Sequence, residues 1–444
     1  MQAANLWIRR GELASLHFIV GVVELRPLKF RRLPNFRVFW HDSWFNHSQR
    51  LMDFDSTSFP LRPAWTEIDL GRLRRNLQLI RRDLPKSVRL LAVVKDEAYG
   101  HGALDVVRIA LEEGATGFGL SNLEEAMTLR DAGITAPLLL LGERQEAELP
   151  WCIEHDLTVC VNEPRVVRTL ARLAADAGKR VPVHVKIHTG MSRYGVRWDE
   201  ALPLIEQIAA QKSLLLEGVM THFAQSDETD KTFANLQLSR FNEVLQGLAA
   251  RGISVKLRHT CNSGGYLDLP QAHFDMVRVG LLLYGIFPSW VCRRIPGIEP
   301  VMSVKARIAA IQKLKPGEVV GYGMRYTAPG ERRIAVLPIG YGDGFPRVRN
   351  TGGALIRGKR APLVGGIAMD ALMVDITDIP EAQMWDEAVL MGRQGGDEIT
   401  VHDIAKLKNS VSYDVLTNWR LRLRRKSVNA AAKTAGALEA TAVK

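Results

Sequence analysis

The chain has 444 residues, 46% apolar and 24% charged, the balance of a globular protein long enough to bury two domain cores. Its formal charge of +11 suits an anionic ligand, but the basic residues are dispersed, clustering only at Arg31–Arg32 and in the run from Arg420 to Lys426. That pattern disfavours a nucleic-acid partner, and no apolar run approaches the ~18 residues of a membrane span.

Residues 1–61 are rich in Arg, Trp and Phe, carry Pro27, Pro34 and Pro60, and hold no sustained period of 2 or 3.6. The expectation is a poorly ordered extension, or upstream sequence read from a wrongly chosen start with Met52 as the true beginning. The apolar stretch Leu13 to Leu25 follows Arg9–Arg10, but His17 and Glu24 interrupt it and no small-residue cleavage site follows, so it is not read as a signal peptide.

From Pro63 to Cys292 short apolar strands alternate with helical patterns. The strand candidates are Leu90–Lys95, Gly117–Ser121, Pro137–Gly142, Leu157–Val161, Val183–His188, Leu216–His222, Val255–Thr260 and Met276–Leu283. Between them lie helix patterns such as Leu123–Asp131, Pro164–Ala177, Ala201–Ala210 and Phe233–Ala250. About eight β-then-α units predict a TIM-type (β/α)8 barrel over residues 62–296. After Ile298 the texture changes to strands broken by glycine-rich turns: Val301–Leu314, Arg333–Pro338, Ala354–Arg357, Ala371–Ile376 and Ala388–Gly392, with Val401–Leu407 the one helical pattern. This predicts a mostly-β domain over residues 297–426 and a disordered Ala-rich tail over 427–444. Cys152, Cys160, Cys261 and Cys292 have neither disulfide-framework nor metal-ligand spacing, which points to reduced thiols, a cytoplasmic home and no metal centre.

Chemistry-bearing residues recur where strands end. Lys95 closes the first barrel strand, in Val94-Lys95-Asp96-Glu97-Ala98-Tyr99-Gly100-His101-Gly102, and barrel enzymes build their sites at such C-terminal strand ends. A lysine there can lose its proton through desolvation and form a Schiff base. The segment from Lys186 to Arg193 closes the fifth strand, and Thr221-His222 the sixth. Asn262-Ser263-Gly264-Gly265 follows the seventh, and Arg278-Val279-Gly280 lies in the eighth. The loops after strands seven and eight are where many barrels hold phosphate. Gly117-Phe118-Gly119 lacks the third glycine and the acidic partner of a dinucleotide loop and is read as a packing turn.

From about Pro63 to Lys426 these motifs, in this order and spacing, resemble the alanine racemase family, fold-type III pyridoxal 5'-phosphate (PLP) enzymes with a barrel followed by a β domain. The resemblance implies that Lys95 binds PLP covalently, that Tyr99, Ser263, Gly280, Leu281 and Tyr413 hold its phosphate, and that His222 faces its ring. Arg278 would bond the pyridine nitrogen. Arg193 would bind the substrate carboxylate, with Lys186, often carbamylated in the family, orienting it and Asn262 in support. In the second domain Tyr322, within Val320-Gly321-Tyr322-Gly323, matches a tyrosine base. Tyr341 resembles a residue gating the entry channel, and Met369-Asp370 a pair whose methionine backbone faces the carboxylate. There are departures: Asp96-Glu97 replaces the more usual Ala-Asn or Ala-Asp, His188 stands where Asp or Asn is common, Val279 replaces a Pro and Ala368 a Cys.

Racemisation needs a proton removed from one face of Cα and returned on the other, while the cofactor supplies the electron sink. The resemblance implies Lys95 as the base for the D-enantiomer and Tyr322 for the L-enantiomer, in a head-to-tail homodimer whose second domain covers the partner's barrel. The activity implied is L-/D-alanine racemisation supplying D-alanine for the bacterial cell wall. Alternatives are a racemase of serine or broader specificity, and a non-catalytic PLP carrier.

Overall fold

A computed structural model describes residues 61–419 and 422–430. The expectations for residues 1–60 and for the tail from 431 onward lie outside these described residues.

Eight parallel strands form the barrel. In chain order they are Arg89–Val93, Gly117–Leu120, Leu138–Leu140, Thr158–Val161, Val181–His188, Leu214–Met220, Leu257–His259 and Met276–Val279. The eighth pairs with the first, and the gap between seventh and eighth is spanned by bonds from the Asp275 and Arg278 N–H groups to the Arg258 and Cys261 carbonyls (3.1 and 3.0 Å). Strands such as Gly117–Leu120 and Thr158–Val161 are buried at every position, which explains their continuous apolar runs: helices cover one face and the barrel interior the other.

The helices follow their sequence signals. Leu70–Asp83 starts at Asp69, whose carboxylate accepts from the Arg72 N–H, and buries Leu70, Leu73, Leu77 and Ile80 along one stripe. Leu123–Asp131 opens with a reciprocal capping box between Asn122 and Glu125. Pro164–Asp176 opens on proline and buries Val166, Val167, Leu170, Ala171 and Ala174.

The structure departs from expectation in five places. Ala64–Asp69 falls within the range assigned to the barrel but adds to the second domain's sheet, antiparallel to Met302–Arg307 and parallel to Arg424–Val428. Only the tertiary fold decides this, because an alternating strand at a boundary can pair with either sheet. Arg424–Val428 also carries regular structure past Lys426, where the domain was expected to end. The predicted strand Val301–Leu314 is two, Met302–Arg307 and Ala310–Leu314, in different sheets. The eighth barrel strand ends at Val279, and Leu281–Tyr284 is a tight helical turn between Gly280 and Gly285. Finally, a second helix, Ser412–Asn418, follows Val401–Lys408.

In the second domain, Lys359–Pro362, Gly353–Ile356 and Glu387–Gln394 extend the sheet that holds Ala64–Asp69. A three-stranded sheet of Ala310–Leu314, Arg332–Leu337 and Leu372–Asp375 lies beside a short hairpin, Val319–Val320 with Tyr326–Thr327.

Candidate active site

The C-terminal ends of the barrel strands surround a cavity of about 830 Å³, in the range of ligand sites. Lys95 leaves the first strand into an unusual turn. Asp96, Glu97, Ala98 and Tyr99 all have φ between 53° and 55°, one turn of left-handed helix, before Gly100 at φ 79°. L-residues resist this conformation by roughly 1–2 kcal/mol each, so the surroundings must hold it. Glu125 accepts from the Asp96 N–H (2.6 Å), Arg425 reaches Glu97 from the second domain (2.9 Å), and Ala98 is fully buried. The His101 Nδ1 sits 3.0 and 2.9 Å from the Ala98 and Tyr99 carbonyls while its ring stacks on Tyr284. Burial, then the Arg193 charge, lowers the Lys95 pKa, which raises the fraction of its amine that is unprotonated and free to react.

Ser263 and Gly280 line the same cavity. Ser263 Oγ accepts from the backbone N–H groups of Gly280 (3.2 Å) and Leu282 (3.4 Å). Asn262 caps the helix Ser263–Asp268 by accepting from the Gly265 N–H (2.9 Å) and is held by the Ser226 hydroxyl (2.8 Å). A Cβ on Gly280 would stand 2.8 Å from the Tyr99 hydroxyl, so glycine keeps this space open. Tyr99 keeps its proton, since burial raises its pKa far above the ordinary phenol value. Leu281 and Tyr413 also line the cavity, and burial pushes Tyr413 up to about 12.

Arg278 is buried at the cavity floor. Its two terminal nitrogens donate to the Thr221, His259 and Thr260 carbonyls (2.8, 2.9 and 3.0 Å) and to His222 Nδ1 and His259 Nδ1 (3.1 Å each). Its Nε–H makes no hydrogen bond among the described residues. Burial, then the Arg278 charge, pushes the His222 pKa well below its usual value, so that ring is neutral. Lys186 donates to the Leu141 carbonyl (3.1 Å), and desolvation brings its pKa down to about 8. Arg193 lines the same cavity, on a loop held by His188, whose Nδ1 accepts from the N–H groups of Gly190 (3.2 Å) and Ser192 (3.3 Å).

The donor set fits PLP: a lysine of lowered pKa, a hydroxyl-lined space beside Gly280 that a Cβ would fill, and a buried guanidinium with one N–H unspent.

Tyr322, Tyr341, Met369 and Asp370 are not in this cavity. Tyr322 (82% exposed) and Tyr341 line a separate depression on the β domain with Arg347, Arg349 and Lys406. Met369 is 51% exposed, and Asp370 pairs with Arg422. The Gly340–Gly344 turn packs backbone-to-backbone on Ala368–Met369: the Tyr341 and Gly342 N–H groups donate to the Ala368 and Met369 carbonyls (3.1 and 2.9 Å). Asp343 within that turn is gripped by both terminal nitrogens of Arg62, each at 2.7 Å.

Sequence reasoning missed Glu125 and Glu143. The Asn122-x-x-Glu125 capping signal could have placed the first at a helix start. Glu143 carries no motif. Burial, reinforced by Glu163, raises its pKa to about 7, against the opposing pull of Arg144 and the Asn162 backbone.

The four cysteines are free and buried, and among the described residues no helix is long and apolar enough to cross a membrane. Residues 68–288 match the family described as alanine racemase, N-terminal domain, and residues 301–427 its C-terminal domain. An alanine racemase from Carboxydothermus hydrogenoformans is 40% identical over 82% of this chain and 99% of its own length. The solved alanine racemase of Clostridium difficile superposes with a TM-score of 0.79 at 33% identity, covering 83% of this chain and 97% of that one. A histidine racemase from Leuconostoc mesenteroides has a TM-score of 0.76 at 29% identity, covering 83% and 99%. The chain belongs to the alanine racemase family, PLP-dependent isomerases that interconvert L- and D-alanine.

Proposed function

We propose that the chain racemises alanine by a two-base mechanism in which Lys95 and Tyr322 come from different copies of the chain. The observation that carries this reading is the separation of the two groups. Lys95 sits desolvated in the barrel cavity, whereas Tyr322 projects from the other domain into solvent beside Met324, 69% exposed. A tyrosine exposed on the β domain, outside the barrel cavity of its own chain, is explained by a second copy presenting it to the barrel mouth.

PLP, when bound, withdraws electrons from Cα. The protein's part is binding, orientation and proton handling. Lys95 would hold the cofactor covalently, while Ser263, Tyr99, Tyr413 and the backbone of Gly280 and Leu281 hold its phosphate. His222 would lie against its ring. Arg278 would turn its free N–H to the ring nitrogen, and since a guanidinium does not give up a proton, that nitrogen stays unprotonated. Arg193 and the Met369 backbone would fix the substrate carboxylate, with Asp370 supporting the pair and Tyr341 narrowing the approach.

Lys95 Nζ would take the Cα proton of D-alanine from one face while the Tyr322 hydroxyl delivers a proton to the opposite face; for L-alanine the two exchange roles, Tyr322 accepting and Lys95 donating. A phenol of reference pKa near 10 needs cationic neighbours to act as a base, and Lys95, Arg193 and Arg278 supply positive charge on the barrel side. The product D-alanine would serve cell-wall synthesis, and the four unpaired cysteines favour a reducing, cytoplasmic setting.

The test is complementation. Lys95→Ala and Tyr322→Phe chains, each inactive alone, should regain activity when mixed, because a hybrid dimer holds one intact site. Absence of rescue under conditions where hybrids form would place both bases in one chain. A second reading, racemisation of a larger amino acid, is favoured by the likeness to a histidine racemase. An assay across L-amino acids decides it.

A further inference from the structure

Arg278 is a buried cation with no carboxylate bonded to it among the described residues. Its partners are carbonyl oxygens and two imidazole nitrogens. From one of these, His259, a second line of hydrogen bonds runs away from the cavity. His259 Nε2 lies 2.7 Å from His184 Nδ1, and His184 Nε2 lies 3.3 Å from Glu217 Oε2.

The polarity of this line follows from its first member. A guanidinium only donates, so His259 Nδ1 accepts and the ring's hydrogen sits on Nε2. That N–H faces His184 Nδ1, which must accept in turn. His184 therefore carries its hydrogen on Nε2 and gives it to Glu217. Every bond points from the cavity toward the carboxylate, through two rings of the same tautomer. Burial first, and the adjoining Arg278 guanidinium, depress the His259 pKa well below its usual value, which agrees with a neutral ring there.

The backbone is shaped around these groups. The fifth and sixth barrel strands slip register between Val183 and His184: Val183 lies opposite Leu216, but His184 lies opposite Gly218. Glu217 is the residue taken up by that irregularity, a device that re-aims a side chain. A Cβ on Gly218 would stand 2.6 Å from His184 Nδ1, so glycine there leaves room for the ring. Glu217 is held ionised chiefly by its bond to His184, aided by Lys256 and Arg89. Arg89 opens the first strand and Lys256 precedes the seventh, so the line ends toward the end of the barrel opposite the mouth.

We infer that Glu217, His184 and His259 form a one-way hydrogen-bond relay that supplies the remote counter-charge of Arg278 and sets how strongly its guanidinium donates into the cavity. All three are positioning residues, and their effect on the cofactor rests on the reading of Arg278 given above.

Nitrogen-15 NMR of the histidine-labelled holoenzyme tests the relay itself. Both rings should show the Nε2–H tautomer across roughly pH 6 to 8, the range where free histidine titrates. A proton on Nδ1 of either ring in that range overturns the inference. Glu217→Gln then removes the charge while keeping an acceptor. The absorbance maximum of bound PLP should shift and its dissociation constant should rise at least roughly threefold, as expected for a charge felt through a low-dielectric core. A well-folded variant with unchanged spectrum and affinity would leave Glu217 a merely structural role and sink the proposal. Should that variant fail to fold, the tautomer measurement on the unaltered protein still decides. That measurement does not depend on turnover, so failed complementation between Lys95 and Tyr322 variants would leave it standing.

Discussion

At the scale of single residues, His188 shows how a departure from the family pattern is accommodated. Where Asp or Asn is common, its Nδ1 accepts from the N–H groups of Gly190 and Ser192 and so ties down the loop that carries Arg193. An Asn oxygen can accept both bonds; a methyl group cannot. His188→Ala should raise KM for alanine roughly threefold to tenfold, the cost of about one lost hydrogen bond, and His188→Asn should restore it. Steady-state kinetics read both. Glu143 offers a pH test. Its folded pKa is raised from 4.5 to about 7, so the folded state binds more protons than the unfolded between those values and loses stability as pH rises through that window. Glu143→Gln removes the loss. The variant should melt above the parent at pH 8, with the difference closing toward pH 4.5. An unchanged gap would mean the carboxylate is solvated or paired.

At the scale of elements, the turn after the first barrel strand concentrates the strain of the site. Its left-handed run is clamped from three sides: Glu125 on the neighbouring helix, Arg425 on the second domain's last strand, and the backbone of Ser412–Asn418. Gly100 meets that helix directly. A Cβ there would fall 2.6 Å from the Leu416 carbonyl oxygen, at a φ of 79° that L side chains avoid. Gly100→Ala should therefore cost ~2 kcal/mol or more and loosen the hold on Lys95. Thermal melting and PLP retention on gel filtration would register both effects; a variant as stable as the parent would show that the clamp yields easily. Lysine placement in this protein thus depends on both domains.

At the scale of the molecule, the barrel cavity holds Lys95, Arg193, Ser263 and Arg278, and the β domain carries an exposed tyrosine, Tyr322, outside that cavity. The first strand, Ala64–Asp69, ties the two together by adding to the second domain's sheet just before the helix that leads into the barrel. Every candidate site residue, and every strand of both described domains, lies between Arg62 and Val428. A chain begun at Met52 should accordingly fold, bind PLP and racemise alanine at the rate of the full-length protein. Failure to fold or a fall in rate beyond about tenfold would assign residues 1–51 a role in the site or its assembly.

What the amino-acid order determined was everything local in origin. Apolar runs alternating with helical stripes marked all eight barrel strands to within a few residues, because strands such as Gly117–Leu120 and Thr158–Val161 are buried on both faces and helices such as Pro164–Asp176 on one. Cap signals at Asp69, Asn122 and Thr400 are read out within a few residues of themselves. The barrel-rim residues were legible because a barrel gathers the C-terminal ends of its strands, so their shared position in each unit implied their meeting. Long-range choices were not legible. Which sheet Ala64–Asp69 joins, where the strand after Val301 breaks, and how Glu217 turns toward His184 depend on partners tens to hundreds of positions away. The desolvation of Glu143 and the hydrogen-bond line behind Arg278 belong to the same class: burial and pairing arise only when distant strands close side by side.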